Sequence, residues 1–349
     1  MKIFIRSAGN ISPQRTLEPE LFFQSRNMPL AGMLTAIEPD YDQYINSKMI
    51  RRMSRIVKMG VSAALQCLKN AGVEMPGAII TATGYGCLED SALFLQRMIE
   101  FDEKLLSPTA FIQSTHNTVG AQIALLLNCH QYNNTIVHRA FSFENALIES
   151  ALLLEEGFGP LLLGAIDENT RERQAILSRF GLYRQTKSMK PKEFDQRTGN
   201  IAGEGAAFFL LDKEPGTNPM AVLKDVKTLQ SPAPPEEVIN IIGAFLQENS
   251  LSMEDIGLVL TAQTGNGRMD ESEHFLLTTV LSGIPHIPFK YLCGDYPTAT
   301  GFALWLAAWI LKEQRSPFWM QEVKFPIRNI LIHNHTENNQ HSVFIIGSC

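Results

Sequence analysis

The chain has 349 residues, 45% of them hydrophobic and 19% charged, with a formal net charge of −6. That is the profile of a globular protein with room for two ordinary domains or one large α/β unit, and its acidity excludes a general nucleic-acid binder, which needs a basic face. No run of about 18 or more apolar residues is present, so no membrane span is expected.

In chain order, residues 2–6 read as a first strand. Residues 49–70 carry Ile50, Met53, Ile56, Val57, Val61, Ala64, Leu65 and Leu68 at helical spacing. Asn70-Ala71-Gly72 then supplies a helix stop. A short apolar strand over 77–83 runs into a glycine-rich turn. Residues 118–127 predict a buried helix, 135–138 a short strand, 142–155 a helix, 161–164 a strand and 206–211 a buried strand. This βαβα rhythm predicts an α/β fold with sheets covered on both faces. A proline-rich loop over 231–235 leads into a helix from Glu236, and the apolar run 301–311 reads as a buried helix. The first residues lack a long apolar segment, so no signal peptide is expected. The five cysteines (Cys67, Cys87, Cys129, Cys293, Cys349) are scattered without a Cys-x-x-Cys pair. They read as reduced thiols of a cytoplasmic protein.

One pattern occurs twice. Thr83-Gly84-Tyr85-Gly86, then Glu89-Asp90-Ser91 and Phe94-Leu95, follows an apolar strand. Thr264-Gly265-Asn266-Gly267, then Asp270-Glu271-Ser272 and Phe275-Leu276, follows another. Strand, turn and helix start keep register in both copies, which points to an internal duplication. Two α/β halves are expected, residues 1–212 and 213–349, with 213–219 as the link.

Further strings carry a family resemblance. Lys190-Pro191-Lys192-Glu193-Phe194-Asp195-Gln196-Arg197-Thr198-Gly199, continuing to Gly203-Glu204-Gly205-Ala206, resembles the (R/K)-P-F-D-x-x-R-x-G-x-x-x-G-E-G-A signature of the β-ketoacyl-acyl carrier protein synthases, with one extra residue before Phe194. Arg51-Arg52-Met53-Ser54-Arg55 resembles their R-R-M-D-R helix start, residues 111–124 their pocket-lining helix, and Gly164-Ala165-Ile166-Asp167-Glu168 their G-G-x-(D/E) strand end. The resemblance implies a thiolase-like fold, two duplicated α/β halves forming a five-layer αβαβα sandwich. Independently of any family, Phe194 reads as a loop anchor. Asp195, Arg197 and Glu204 are candidates to pair and hold that loop, because half-buried charges need partners. Gly203 and Gly205 allow close backbone approach.

The chemistry of that family is missing. Its nucleophilic cysteine heads a buried helix, where the helix N-terminus favours the thiolate. Here the matching turn is His138-Arg139-Ala140-Phe141-Ser142-Phe143, with Ala140 at the cysteine position and the family serine kept as Ser142. The first histidine, of an H-G-T-x-T-x-x-x-D stretch, is Ala262, while Thr264 and Asp270 persist. The second, of K-x-x-x-G-H-x-x-x-A-x-G, is Asp295, while Lys290 and Gly294 persist. An aspartate accepts hydrogen bonds at neutral pH and cannot donate to an oxyanion. The glycine-rich loop near the C-terminus is replaced by Thr336-Glu337-Asn338-Asn339-Gln340. His333 and His335 alternate on a predicted strand and read as one side of a polar surface strand. No metal and no cofactor is expected.

The resemblance therefore implies a silent subunit of the chain-length-factor type, partner of an active ketosynthase in fatty-acid- or polyketide-like biosynthesis, with aryl-polyene or flexirubin-like pigment pathways as an extension. The family dimerises through the edge strand ahead of the active-site turn, here residues 134–137, so a heterodimer is expected. Phe111, Phe141 and Phe143 are candidates to line or plug an acyl tunnel, or to fill the space of the lost site. Two alternatives stay open. One is a divergent condensing enzyme or acyltransferase using Ser142, Asp295 or Lys290. The other is a scaffold that docks acyl carrier protein, with Arg51, Arg52, Arg55 and Lys58 on one helix facing its acidic surface.

Overall fold

The structure is a computed structural model describing residues 2–24, 33–104, 106–184, 199–230, 235–317, 319, 323–336 and 340–349. Its strands are β1 (Ile3–Ile11), β2 (Ala78–Ala82), β3 (Tyr132–Ile136), β4 (Leu161–Asp167), β5 (Gly205–Asp212), β6 (Ala221–Gln230), β7 (Leu258–Thr261), β8 (His286–Pro288), β9 (Asn329–His335) and β10 (Gln340–Gly347). They hydrogen-bond in the order β3-β2-β4-β5-β1-β6-β10-β9-β7-β8. If each half's strands are numbered from its own first strand, both halves read 3-2-4-5-1. In each, the second strand runs parallel to the third and fourth, and the remaining pairs are antiparallel. The halves meet where Ile3–Ile5 of β1 pair antiparallel with Ala221–Leu223 of β6. Hydrogen bonding is thus continuous through ten strands.

Packing resolves this sheet into layers. Along β4, Leu161 and Leu163 join a core shared by both halves, while Leu162 joins the outer core of the first half. This is the period-2 alternation of a strand covered on both faces. The shared core holds the helices Ser142–Glu155 and Thr300–Glu313, contacted by Phe209 from one half and Leu260, Ile332 and Phe344 from the other. The Thr300–Glu313 helix is buried almost all round, through Phe302, Trp305 and Ile310, as suits a central layer. Helices Arg55–Ala71 and Thr118–Leu127 cover the outer face of the first half. Pro235–Glu248 and Gly267–Thr279 cover that of the second. The result is a five-layer αβαβα sandwich of the thiolase type.

Element bounds differ from expectation in a few places. The predicted helix over 49–70 is two: Ser47–Ile50, then Arg55–Ala71 with Ser54 in extended conformation at its N-cap. Arg51 and Arg52 therefore sit in the intervening turn. The second helix starts after Ser54, whose extended backbone sets its N-cap without a side-chain capping hydrogen bond. The expected stop holds, with Gly72 left-handed at φ 65°. The edge strand begins and ends earlier than expected, at Tyr132–Ile136. All five cysteines are free thiols, and four of them are buried. Among the described residues, no helix is long and apolar enough to cross a membrane.

Candidate functional site

The site is assembled where the two halves touch. Thr83-Gly84 leaves β2 in a tight turn, and Thr83 Oγ1 accepts the Gly86 N–H at 2.9 Å. Asp167, buried at the end of β4, ties this turn to the second half. Its Oδ1 accepts from Thr83 Oγ1 (3.0 Å) and Gly84 N (2.8 Å), and its Oδ2 from Thr298 N (3.0 Å) and Thr298 Oγ1 (2.8 Å). Burial pushes this carboxyl up, and the four hydrogen bonds oppose that. The duplicated turn at Thr264-Gly265 is closed by a different carboxylate. Asp270 accepts from Thr264 N and Gly265 N, both at 2.8 Å.

A second junction brings Ala202-Gly203 against Gly294-Asp295. Gly203 N donates to the Asp295 carbonyl (3.1 Å) and Asp295 N to the Ile201 carbonyl (2.7 Å). A Cβ at Gly203 would lie 2.0 Å from the Cys293 carbonyl oxygen. Only glycine lets the two backbones approach this closely. Glu204 is buried and holds the signature segment to distant parts of the first half. Its carboxylate accepts from Ala36 N (2.8 Å), Asn169 N (3.1 Å) and both terminal nitrogens of Arg55 (2.6 and 2.8 Å). Arg55 also meets Glu38. Arg55 is thus a structural ion-pair partner of Glu204 rather than one of four free cations on a helix. Phe194, Asp195 and Arg197 lie outside the described residues, so the loop pairing expected of them is not described.

Between the junctions lies a cavity of about 260 Å³ lined by Ala140, Tyr85, Arg139, Arg173, Tyr183, Lys290, Asp295 and Asn334, among others. Ala140 sits in a single 3₁₀ turn, Arg139–Phe141, leading into the central Ser142–Glu155 helix. The structure therefore unites Ala140, Lys290 and Asp295. Lys290 Nζ pairs with Asp295 Oδ1 at 2.9 Å and donates to the His335 carbonyl at 3.0 Å. Asp295 Oδ2 also accepts from Asn200 Nδ2 at 2.7 Å. Burial raises the Asp295 carboxyl, but Lys290 and Asn200 outweigh it and hold it below its ordinary value. At neutral pH the Asp295 carboxylate is ionised, and it is engaged by Lys290 and Asn200.

Ser142 is fully buried. Its Oγ accepts from His138 N (2.8 Å) and lies 2.9 Å from the Thr83 carbonyl and 2.7 Å from the Arg139 carbonyl. Each of these partners is a backbone group, so the hydroxyl closes the turn, and no base among the described residues activates it. Cys293 is buried beside the cavity, and burial pushes its thiol up, away from the thiolate. Ala262, at the end of β7, is also buried. Its N–H donates to Glu273 at 3.0 Å, and it does not line the cavity. Thr264 is a turn residue.

The phenylalanines go to three different places. Phe111 is 57% exposed and meets Phe94 on the surface. Phe141 stacks on His138. Phe143 packs on Phe209 in the central core. None lines the cavity. Residues that the sequence did not single out do line it. Arg173 lies between the rings of Tyr85 and Tyr183, 5.0 and 5.1 Å from their centroids. The one available signal was Tyr85 in the duplicated turn.

His333 and His335 correct an expectation. They are buried rather than on a polar surface, because β9 is an interior strand between β7 and β10 with both faces covered. They meet Glu273, and these three residues could hold a metal ion.

A buried acid also marks the first turn of the central helix. Glu144 Oε1 accepts from Ser342 Oγ at 2.8 Å. Burial raises its pKa to about 7, while the hydrogen bond to Ser342 and the charge of Lys290 lower it. Its folded pKa exceeds the ordinary carboxyl value, so the native state holds a proton that the unfolded chain releases. Stability therefore falls as pH rises from about 4.5 to 7. Glu144→Gln is expected to leave stability unchanged near pH 4.5 and to raise it by about 1–3 kcal/mol at pH 8. Urea melts of both proteins across that range check this. A wild-type-minus-variant difference that does not vary with pH contradicts it.

Residues 34–174 match the beta-ketoacyl synthase N-terminal domain family. No curated protein matches the sequence. The fold resembles a chain of the ishigamide ketosynthase/chain length factor, with a TM-score of 0.81, 17% identity and coverage of 100% of this chain and 99% of that one. A beta-ketoacyl synthase from Burkholderia phymatum STM815 aligns at TM-score 0.79, with 14% identity and the same coverage. A chain of the ketosynthase ApeO in complex with its chain length factor ApeC, from Xenorhabdus doucetiae, aligns at 0.73, with 17% identity over 99% of this chain and 98% of that one. Residues 34–174 thus match the β-ketoacyl synthase N-terminal domain, and the whole chain has the fold of these solved ketosynthase structures.

Proposed function

We propose that this chain is a non-catalytic ketosynthase-like subunit that completes a heterodimer with an active β-ketoacyl-acyl carrier protein synthase, in the manner of a chain length factor. Two halves, residues 1–212 and 213–349, form the subunit. The observation that carries the reading is Ala140, a methyl group at the head of the central helix in a cavity whose Lys290 and Asp295 neutralise each other. A decarboxylating condensation needs a nucleophile and donors to an oxyanion; the side chains of Ala140 and Ala262 supply neither, and the Asp295 carboxylate, which cannot donate, is engaged by Lys290 and Asn200.

The free edge supports a partner chain. β3 ends the sheet, and exposed apolar residues surround it: Leu125, Tyr132, Val137, Ile148 and Leu152. An unpaired strand flanked by apolar surface is a site for another chain. Relatives in fold include named ketosynthase/chain length factor assemblies and a type II polyketide synthase complex with acyl carrier protein. By analogy the partners of this chain are an active ketosynthase and an acyl carrier protein, and the product is a fatty-acid- or polyketide-like chain.

The test offers the purified chain acyl and malonyl carrier proteins. No covalent acyl loading and no carbon dioxide release are expected from it alone. Co-expressed with its cysteine-bearing ketosynthase partner, it is expected to co-purify and to be required for that enzyme's activity. Loading or decarboxylation by the isolated chain overturns the proposal. A companion variant, Ala140→Cys, is expected to gain one thiol that iodoacetamide labels faster than the four buried native thiols, because a helix N-terminus lowers a thiol pKa. Its condensing activity is expected to stay at background, since neither histidine is restored. Turnover by this single variant argues that Lys290 and Asp295 retain catalytic capacity.

A further inference from the structure

From the cluster on β9, we infer that Glu273, His333 and His335 form a binding site for a divalent transition-metal ion of the zinc class, buried behind the wall of the cavity. This inference is independent of whether the chain condenses acyl groups.

Three observations carry it. The first is geometry. Glu273 Oε2 lies 2.8 Å from His333 Nδ1 and 3.3 Å from His335 Nδ1. One ligand atom from each of the three residues falls within 4.8 Å of the others. Four-coordinate zinc, with bonds of about 2.0–2.1 Å to nitrogen and oxygen, separates its ligand atoms by about 3.3 Å. Small shifts of these side chains reach that arrangement, and two imidazoles with one carboxylate form a donor set suited to zinc rather than to calcium or magnesium.

The second observation is an unmet demand. His335 is 4% exposed; among the described residues its Nε2 has no hydrogen-bond partner, and its Nδ1 has only the 3.3 Å approach of Glu273, without good hydrogen-bond geometry. A buried imidazole so poorly satisfied is costly. A cation at Nδ1 removes that cost and also balances the Glu273 carboxylate, which is 1% exposed.

The third is the outer shell. A metal-bound imidazole usually donates its other N–H to a fixed acceptor. His333 Nε2 lies 3.2 Å from His341 Nδ1 on the neighbouring strand β10. A neutral imidazole offers one ring nitrogen as an acceptor, and this geometry presents Nδ1 of His341 to His333. Glu273 is oriented likewise, since its Oε1 accepts the Ala262 N–H at 3.0 Å. Strand alternation separates the two environments. Asn334 and Thr336 line the cavity, and His333 and His335 do not. The ion would therefore pin β9 and β10 to the Gly267–Thr279 helix without facing the cavity.

The test uses the full chain without a histidine tag, stripped by a chelator and titrated with Co²⁺ and then Zn²⁺. The expected result is one Co²⁺ per chain with visible ligand-field absorption, its displacement by Zn²⁺, and a thermal midpoint that rises with Zn²⁺ concentration. His333→Ala and His335→Ala are each expected to abolish the absorption, whereas His274→Ala, an exposed histidine on the same helix as Glu273, leaves it intact. His341→Phe is expected to weaken Zn²⁺ binding by about 10–100-fold while keeping the stoichiometry. In case the histidine variants do not fold, a zinc-edge anomalous map of the wild-type crystal soaked in Zn²⁺ locates the ion directly. Wild-type protein that binds no Co²⁺, absorption that survives both histidine variants, or a map with no peak among these three side chains overturns the inference.

Discussion

Glu204→Ala is expected to lower the unfolding free energy by about 3–5 kcal/mol, the range for breaking a buried ion pair from one side. The carboxylate is 1% exposed and accepts two backbone N–H groups, from Ala36 and Asn169, as well as both terminal nitrogens of Arg55. Truncation leaves those two amides unsatisfied and strands Arg55 with Glu38 as its remaining ion-pair partner. Glu204→Gln is expected to lose most of the same stability. Each carboxylate oxygen accepts two donors, so an amide NH₂ placed on either side faces N–H groups rather than acceptors. Urea denaturation of wild type and both variants checks this. A loss below about 1 kcal/mol for the alanine variant would mean that the contact is worth no more than a surface pair.

The second large effect concerns the proposed partner. Leu152→Arg and Leu125→Arg are each expected to weaken pairing with the active ketosynthase by about thirtyfold or more, the effect of disrupting a 2 kcal/mol hot spot. Both positions are more than half exposed in the isolated chain, Leu152 at 61% and Leu125 at 69%, on the two helices that flank the free edge strand β3. Stability of the chain alone is expected to change by less than about 0.5 kcal/mol, as for most surface substitutions. The two readouts separate a lost interface from a lost fold. Size-exclusion chromatography of co-expressed subunits measures the first and thermal melts the second. Undiminished co-elution of both variants would remove the β3 edge from the assembly.

Much of the fold was legible because it rests on local rules. The strand at Leu161–Asp167 and the helix at Ser142–Glu155 follow from residue spacing. The repeated Thr-Gly turns fall in two sets of five strands that share one strand order. The buried run 301–311 was recognisable as a helix because apolar residues occupy every face. At the site, Ala140, Lys290 and Asp295 were picked from separate strings, and the structure sets all three around one cavity.

Other features were illegible because burial and contact are properties of the assembled sheet. His333 and His335 alternate as a surface strand would. Only the position of β9 between β7 and β10 puts them inside, beside a glutamate from a helix 60 residues earlier. Glu204 read as one of three charges, with Asp195 and Arg197, that could pair to hold a loop; the structure gives it a guanidinium partner in Arg55, 149 residues away. The sequence by itself determined the periodicities, the duplicated turns and the lack of a sulfur at position 140, since each is written in consecutive residues. The tertiary structure alone decided which charges meet and which histidines are buried, because those depend on strand order and on backbone approaches such as Gly203 against Gly294, which no local pattern encodes.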